Sequence, residues 1–134
     1  MTASARLMCG LILITVPTIE FGGYFLLKVV SGKMSRLSLT PFQQGMFRAG
    51  HAHAGVLLLL SLICQLLADE ASLSAGLIWL VRIGVPVSTL LISGGFFAAA
   101  AGRTRTAPNQ WIGILYTGVL LLAVCVLTLG IGLL

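Results

Sequence analysis

The sequence predicts an all-α integral membrane protein, a four-helix bundle forming a single transmembrane domain over residues 1–134. Three observations carry this. Hydrophobic residues fill 58% of the 134 positions and charged residues 8%, too few for a domain this small to face water on every side. Four apolar stretches, at about 7–30, 49–68, 75–101 and 111–134, each approach the roughly 20 residues that a helix needs to cross a bilayer. The stretches are continuous and lack the short alternation of a barrel, and helices satisfy their own backbone groups in lipid.

The first stretch is too long for the apolar core of a signal peptide, carries Glu20 near its middle and has no small-residue cleavage site, so it is expected to remain in the mature chain. Pro17 lies inside it and Pro86 inside the third stretch; each removes one ladder hydrogen bond and predicts a local kink. The second stretch opens on "FRAGHAHAG" and continues as the uncharged "VLLLLSLICQLLA". Arg82, within the third, is expected to reach along its stem toward Asp69 and Glu70. Cys9, Cys64 and Cys125 lie within apolar runs without CxxC spacing and read as small buried hydrophobes. The glycines, including Gly22-Gly23 and Gly94-Gly95, let helices approach closely.

Charge orients the bundle. Lys28, Lys33, Arg36, Arg48, Arg103 and Arg105 cluster at one end, six of the eight basic residues, which puts both long connectors in the cytoplasm and both termini outside. The localisation expected is a multi-pass membrane protein of the bacterial inner membrane. The net charge of +5 therefore reflects topology, and no nucleic-acid partner is expected. Membrane lipid is the obligatory surround.

Polar and aromatic residues converge on the basic half. Counted from Arg48, His51 and His53 lie about 5 to 8 Å into the membrane, and Glu20 lies about 15 Å from Val30. Helix three brings Ser93, Phe96 and Phe97 to this half; helix four brings Asn109, Gln110, Trp111 and Tyr116. Trp111 also suits an interfacial anchor, as do Tyr24 and Tyr116. An ionisable group as deep as Glu20 is costly enough to make function the default reading, and Glu20 and Tyr24, at i and i+4, share a face.

The two histidines cannot clamp one ion. Residues two apart on a helix point about 200° apart, and a zinc site would need three or four ligands that this chain does not supply unless Glu20 or another subunit helps. A single axial ligand to haem requires one imidazole only.

Two resemblances bear on this. "HAHAG" resembles the His-x-His helix of haem-copper oxidases and nitric oxide reductases, over a few residues only, in proteins with many more helices. A broader resemblance is to the styrene oxide isomerase family of small four-helix membrane enzymes. The Arg-Ala-His-x-Gly type opening of that family's second helix is similar to "AHAG" at Ala52 to Gly55, its Gly-aromatic-aromatic element to Gly95-Phe96-Phe97, and its Pro-Asn-Gln-aromatic element to "PNQW" at Pro108 to Trp111.

The resemblance implies a homotrimer holding haem b at the subunit boundary, with iron bound by His53 and acting as a Lewis acid that opens an epoxide to a carbonyl product, an isomerase reaction on a small apolar substrate such as an aryl epoxide. Arg48 is the expected propionate partner, and Phe96, Phe97 and Tyr116 are expected pocket walls. His51, Asn109, Gln110 and Trp111 complete the cofactor surroundings, and Glu20, Tyr24 and Tyr116 are the candidate catalytic groups. Two departures stand out: the family's pocket tyrosine falls at Phe97 and its pocket asparagine near Leu59. Glu20, Tyr24 or Tyr116 then substitutes for them, or the substrate differs, or the haem is non-catalytic, serving electron transfer or sensing. A small proton-coupled transporter using Glu20 and the histidines is the remaining alternative.

Overall fold

The computed structural model describes residues 1–33 and 39–134, so Arg36 of the first connector lies outside the described residues. The described chain is all-helical: α1 (Ala3–Ile14), α2 (Val16–Val30), α3 (Pro41–Leu67), α4 (Ala75–Ala99) and α5 (Ile112–Leu133). Four segments are long and apolar enough to cross a membrane, with α1 and α2 together forming the first. The chain is a membrane-spanning four-helix bundle.

Pro17 breaks the first span as the sequence predicts. The break falls at Thr15, with Pro17 in the first turn of α2, where a missing N–H costs least. Pro86, by contrast, sits within an uninterrupted α4. Its missing N–H frees the carbonyl of Arg82, four residues back, and the Gln65 side-chain amide of α3 donates to that carbonyl at 2.8 Å. A bond lost within one helix becomes a bond between two.

The second span begins at Pro41, earlier than the apolar run starting near Ala49 implies. A capping box explains the extension. The Thr40 hydroxyl accepts from the Gln43 N–H, Gln43 Oε1 accepts from the Thr40 N–H, and Pro41 takes the first helical position. Gln43 is buried and its Nε2 donates to the carbonyls of Ala100 and Gly102 at 3.0 and 2.8 Å. The Thr40 hydroxyl also bonds the Arg105 carbonyl. The start of α3 is thereby fastened to the α4–α5 connector. His51 and His53 consequently stand about 15 and 18 Å along the axis from the helix start, not at its mouth. The remaining bounds shift little: the third span ends at Ala99 and the fourth runs from Ile112 to Leu133.

Packing is tightest among α3, α4 and α5, where Cys64, Ala68, Val81, Val85, Cys125 and Leu129 form the core. Glycines set the approach. A Cβ at Gly118 would lie 2.9 Å from the Ile92 N, and one at Gly95 would lie 2.6 Å from the Leu115 N, so neither position tolerates a side chain without displacing backbone.

At the end opposite the basic connectors, Arg82 is buried rather than extended to water, with 3% of its surface exposed. Its Nη2 donates to Asp69 Oδ1 at 2.5 Å, and its Nη1 donates to the Gln65 carbonyl and Oε1. Glu70 is exposed. Hydrogen bonds from the Thr2 hydroxyl and N–H, joined by Arg82, hold the Asp69 carboxyl at about 2, below its ordinary 3.8.

Candidate functional site

The two histidines of α3 face different helices. His51 is half-buried against α2: Cβ atoms added at Gly22 and Gly23 would lie 3.6 Å from its Nδ1 and 3.1 Å from its Nε2. The glycine pair makes the space its ring occupies. His53 is exposed and stands beside α4, with its ring centroid 4.9 Å from that of Phe96.

His53 Nδ1 lies 2.7 Å from the Ala49 carbonyl oxygen, one turn earlier on the same helix. A carbonyl only accepts, so Nδ1 is the donor here, and in the neutral ring the lone pair then stands on Nε2. Metal-binding histidines characteristically anchor one ring nitrogen in this way while offering the other. No cluster of three or more His, Cys, Asp or Glu able to hold an ion occurs among the described residues. A porphyrin, which supplies four nitrogens of its own, asks only for the one imidazole present.

Gly50 brings α4 to the level of the histidines. A Cβ there would lie 3.0 Å from both Phe96 Cβ and Phe97 Cε2. The two phenyl groups then diverge. Phe96 covers His53, whereas Phe97 packs on Phe47 at 5.3 Å and turns toward the side of α3 that carries His51. Arg48 is exposed, about 7.5 Å along the axis from His53 and about 140° around it. Leu59 is exposed to the bilayer.

The predicted catalytic groups do not meet within one chain. Glu20 and Tyr24 are both exposed on α2 and continue into Lys28, whose Nζ stands 4.5 Å over the Tyr24 ring. Tyr116 is exposed on α5, and α2 packs against α3 without contacting α5. Depth relates the stripe to the histidines all the same. Gly23 abuts His51 in an antiparallel pair, so stepping from 23 to 20 and from 51 to 54 puts Glu20 level with Ala54, next to His53.

At the start of the fourth span, Asn109 is fully engaged. Its Nδ2 donates to the Ala98 and Ala101 carbonyls at 2.9 and 3.3 Å, and its Oδ1 accepts from the Trp111 N–H at 2.8 Å. Asn109 thus ends α4, starts α5 and sets where the exposed Gln110 and Trp111 stand. Gln43, Gln65 and Thr2 escaped the sequence reading. Only Gln43 announces itself locally, through Thr40-Pro41-x-Gln43; the others matter through partners far along the chain.

No known protein-family model matches this chain, and neither a curated protein nor a solved structure is significantly similar to it.

Proposed function

We propose that this chain is a haem b-binding membrane protein that isomerises a small apolar epoxide to a carbonyl compound, with His53 as the axial iron ligand. The observation supporting it most directly is the His53 ring: Nδ1–H is held by the Ala49 carbonyl, Nε2 is free, and the ring is exposed beside Phe96 at the bilayer-facing surface of the bundle. When bound, ferric haem supplies a Lewis acid that polarises an epoxide oxygen. The residues of the chain do the rest. Phe96 provides an apolar wall that keeps water from the reacting oxygen, and Arg48, on another side of α3 from His53, offers its guanidinium to a propionate of the haem held by a neighbouring subunit.

An exposed carboxyl at the depth of Glu20 is costly against lipid. A homotrimer removes that cost if the Glu20–Tyr24 stripe of one subunit faces His53 of the next, in the same membrane layer. The stripe then supplies the hydrogen-bonding groups that Phe97 and Leu59 lack, and Tyr116 closes the pocket from α5. In this arrangement the basic connectors are cytoplasmic and both termini lie outside, in a bacterial inner membrane.

A specific observation also favours a second reading. The only aromatic group packed on His53 among the described residues is a phenyl without a hydroxyl, which suits a non-catalytic haem for electron transfer or sensing.

The visible spectrum of protein purified in detergent after haem-supplemented expression tests the ligand. Wild type and His51→Ala should show a Soret band, His53→Ala should lose it, and added imidazole should restore it. Loss with His51→Ala alone reverses the ligand assignment, and a colourless wild type favours proton-coupled transport. Gas chromatography of aryl epoxide incubations then separates the haem readings: aldehyde production supports the isomerase, and a Soret band without turnover supports the second reading.

A further inference from the structure

A partly open cavity of about 210 Å³ lies beneath the break in the first span, bounded by Thr15 at that break and by α2, α3 and α4. It occupies the His51 side of α3, away from His53. Its walls are mostly apolar, including Ile19, Leu58, Leu90 and Phe97, and His51 and Ser93 lie toward the basic half. A second cavity of about 160 Å³, lined chiefly by Met8, Leu11, Ile12 and Pro86, shares the Leu58 and Leu90 walls.

Ser93 is anomalous. Hydroxyls in membrane helices ordinarily donate to a carbonyl of the preceding turn, and Thr15, Thr18, Ser61, Ser88, Thr89, Thr117 and Thr128 all do so here. Ser93 is 8% exposed, yet its Oγ is buried with no hydrogen-bond partner among the described residues. Leaving a buried hydroxyl unmatched is unfavourable. The His51 ring likewise makes no hydrogen bond to a described residue, while Gly22 and Gly23 hold open the space it fills. Two polar groups thus border a mostly apolar cavity without a hydrogen-bond partner among the described residues.

We propose that this chamber binds a small neutral molecule with an apolar body of about eight or nine heavy atoms and a single hydroxyl or carbonyl oxygen, taken up by His51 and Ser93. Size follows from volume, since an apolar cavity of about 150 Å³ holds benzene. Neutrality follows from the walls, because among the described residues no carboxylate, lysine or arginine borders the cavity and an unpaired charge there would be strongly disfavoured. The site gives His51 a role and does not depend on haem.

Fluorine NMR of the full chain in phosphatidylcholine nanodiscs, without haem, tests it with two probes: para-fluorobenzyl alcohol and para-fluorotoluene, which lacks the oxygen. Wild type should bind the alcohol saturably and about tenfold more tightly than the toluene, the value of about one buried hydrogen bond. Ser93→Ala and His51→Phe should each remove most of that preference, Ala54→Leu should abolish saturable binding by filling the chamber, and His53→Ala should change nothing. Equal, non-saturable uptake of both probes by wild type and by empty nanodiscs, meaning that lipid alone takes them up, would overturn the proposal. So would an alcohol preference that survives Ser93→Ala and His51→Phe together. If Ala54→Leu does not fold, the Ser93→Ala comparison decides, since it removes only one oxygen. Loss of the Soret band in His53→Ala and loss of alcohol preference in Ser93→Ala are separate results, so the two readings fail separately.

Discussion

The α3–α4–α5 unit and the first span are built on opposite principles. In the unit, glycines touch backbone: Gly95 admits Leu115, Gly118 admits Ile92, and a buried arginine bonds both a buried glutamine and a half-buried aspartate. The first span buries only Ala5, Ile12 and Leu26, breaks at Thr15, and has a glycine, Gly10, with nothing within 4 Å of an added Cβ. Close backbone packing is concentrated where three helices meet, and the first span leans on them more loosely. Both cavities with His51 or Thr89 in their walls lie along that seam.

The comparison can be broken at its strongest point first. Arg82→Met should lower the apparent Tm in detergent by about 10 °C or more, because it strips the buried partner from Asp69 and leaves Gln65 Oε1 unmatched. A change of only a degree or two would mean that this end of the bundle is far wetter than its geometry implies. Next in size, Gly95→Ala and Gly118→Ala should each cost about 1 to 3 kcal/mol by forcing α4 and α5 apart. Denaturant titration of the same preparations should show Gly10→Ala within about 0.5 kcal/mol of wild type. If the three glycines respond alike, the contrast between the two regions is wrong.

The smallest effect is a pH dependence. Asp69 has its carboxyl lowered from 3.8 to about 2 in the folded chain, so its contribution is fully present above the unfolded value and is lost as pH falls through the folded one. The difference in Tm between wild type and Asp69→Asn should be constant above about pH 5 and shrink between about pH 4 and 2. A difference that stays constant from about pH 6 down to about pH 2 would show the carboxyl to be unperturbed.

Much of the fold is legible because long apolar runs have few alternatives. The start of α3 is not, since hydropathy ends near Arg48 while the helix is set by a polar cap at Thr40 and Gln43. The divergence of His51 and His53 follows from 100° per residue and needs no structure. Which side each faces does need it, because that depends on Gly22, Gly23 and Phe96, distant in sequence. The depth of Glu20 can be counted from Val30, but its outward direction on α2 follows from how the first span leans on α3. Proximity along the chain directs Arg82 toward Asp69 and Glu70, of which only Asp69 pairs with it among the described residues; its burial comes from Gln65 and Thr2, which no local pattern marks.

The bond that Gln65 donates to the carbonyl freed by Pro86 has a consequence for how this sequence can change. Replacing Gln65 with an apolar residue leaves a bare carbonyl inside the bundle, but only while position 86 is proline. Once position 86 regains an N–H, that carbonyl is answered from within its own helix, and position 65 is released from this part of its duty. The order of substitution therefore matters: proline first is the open route and glutamine first the closed one, so two residues in different spans are expected to vary as a pair.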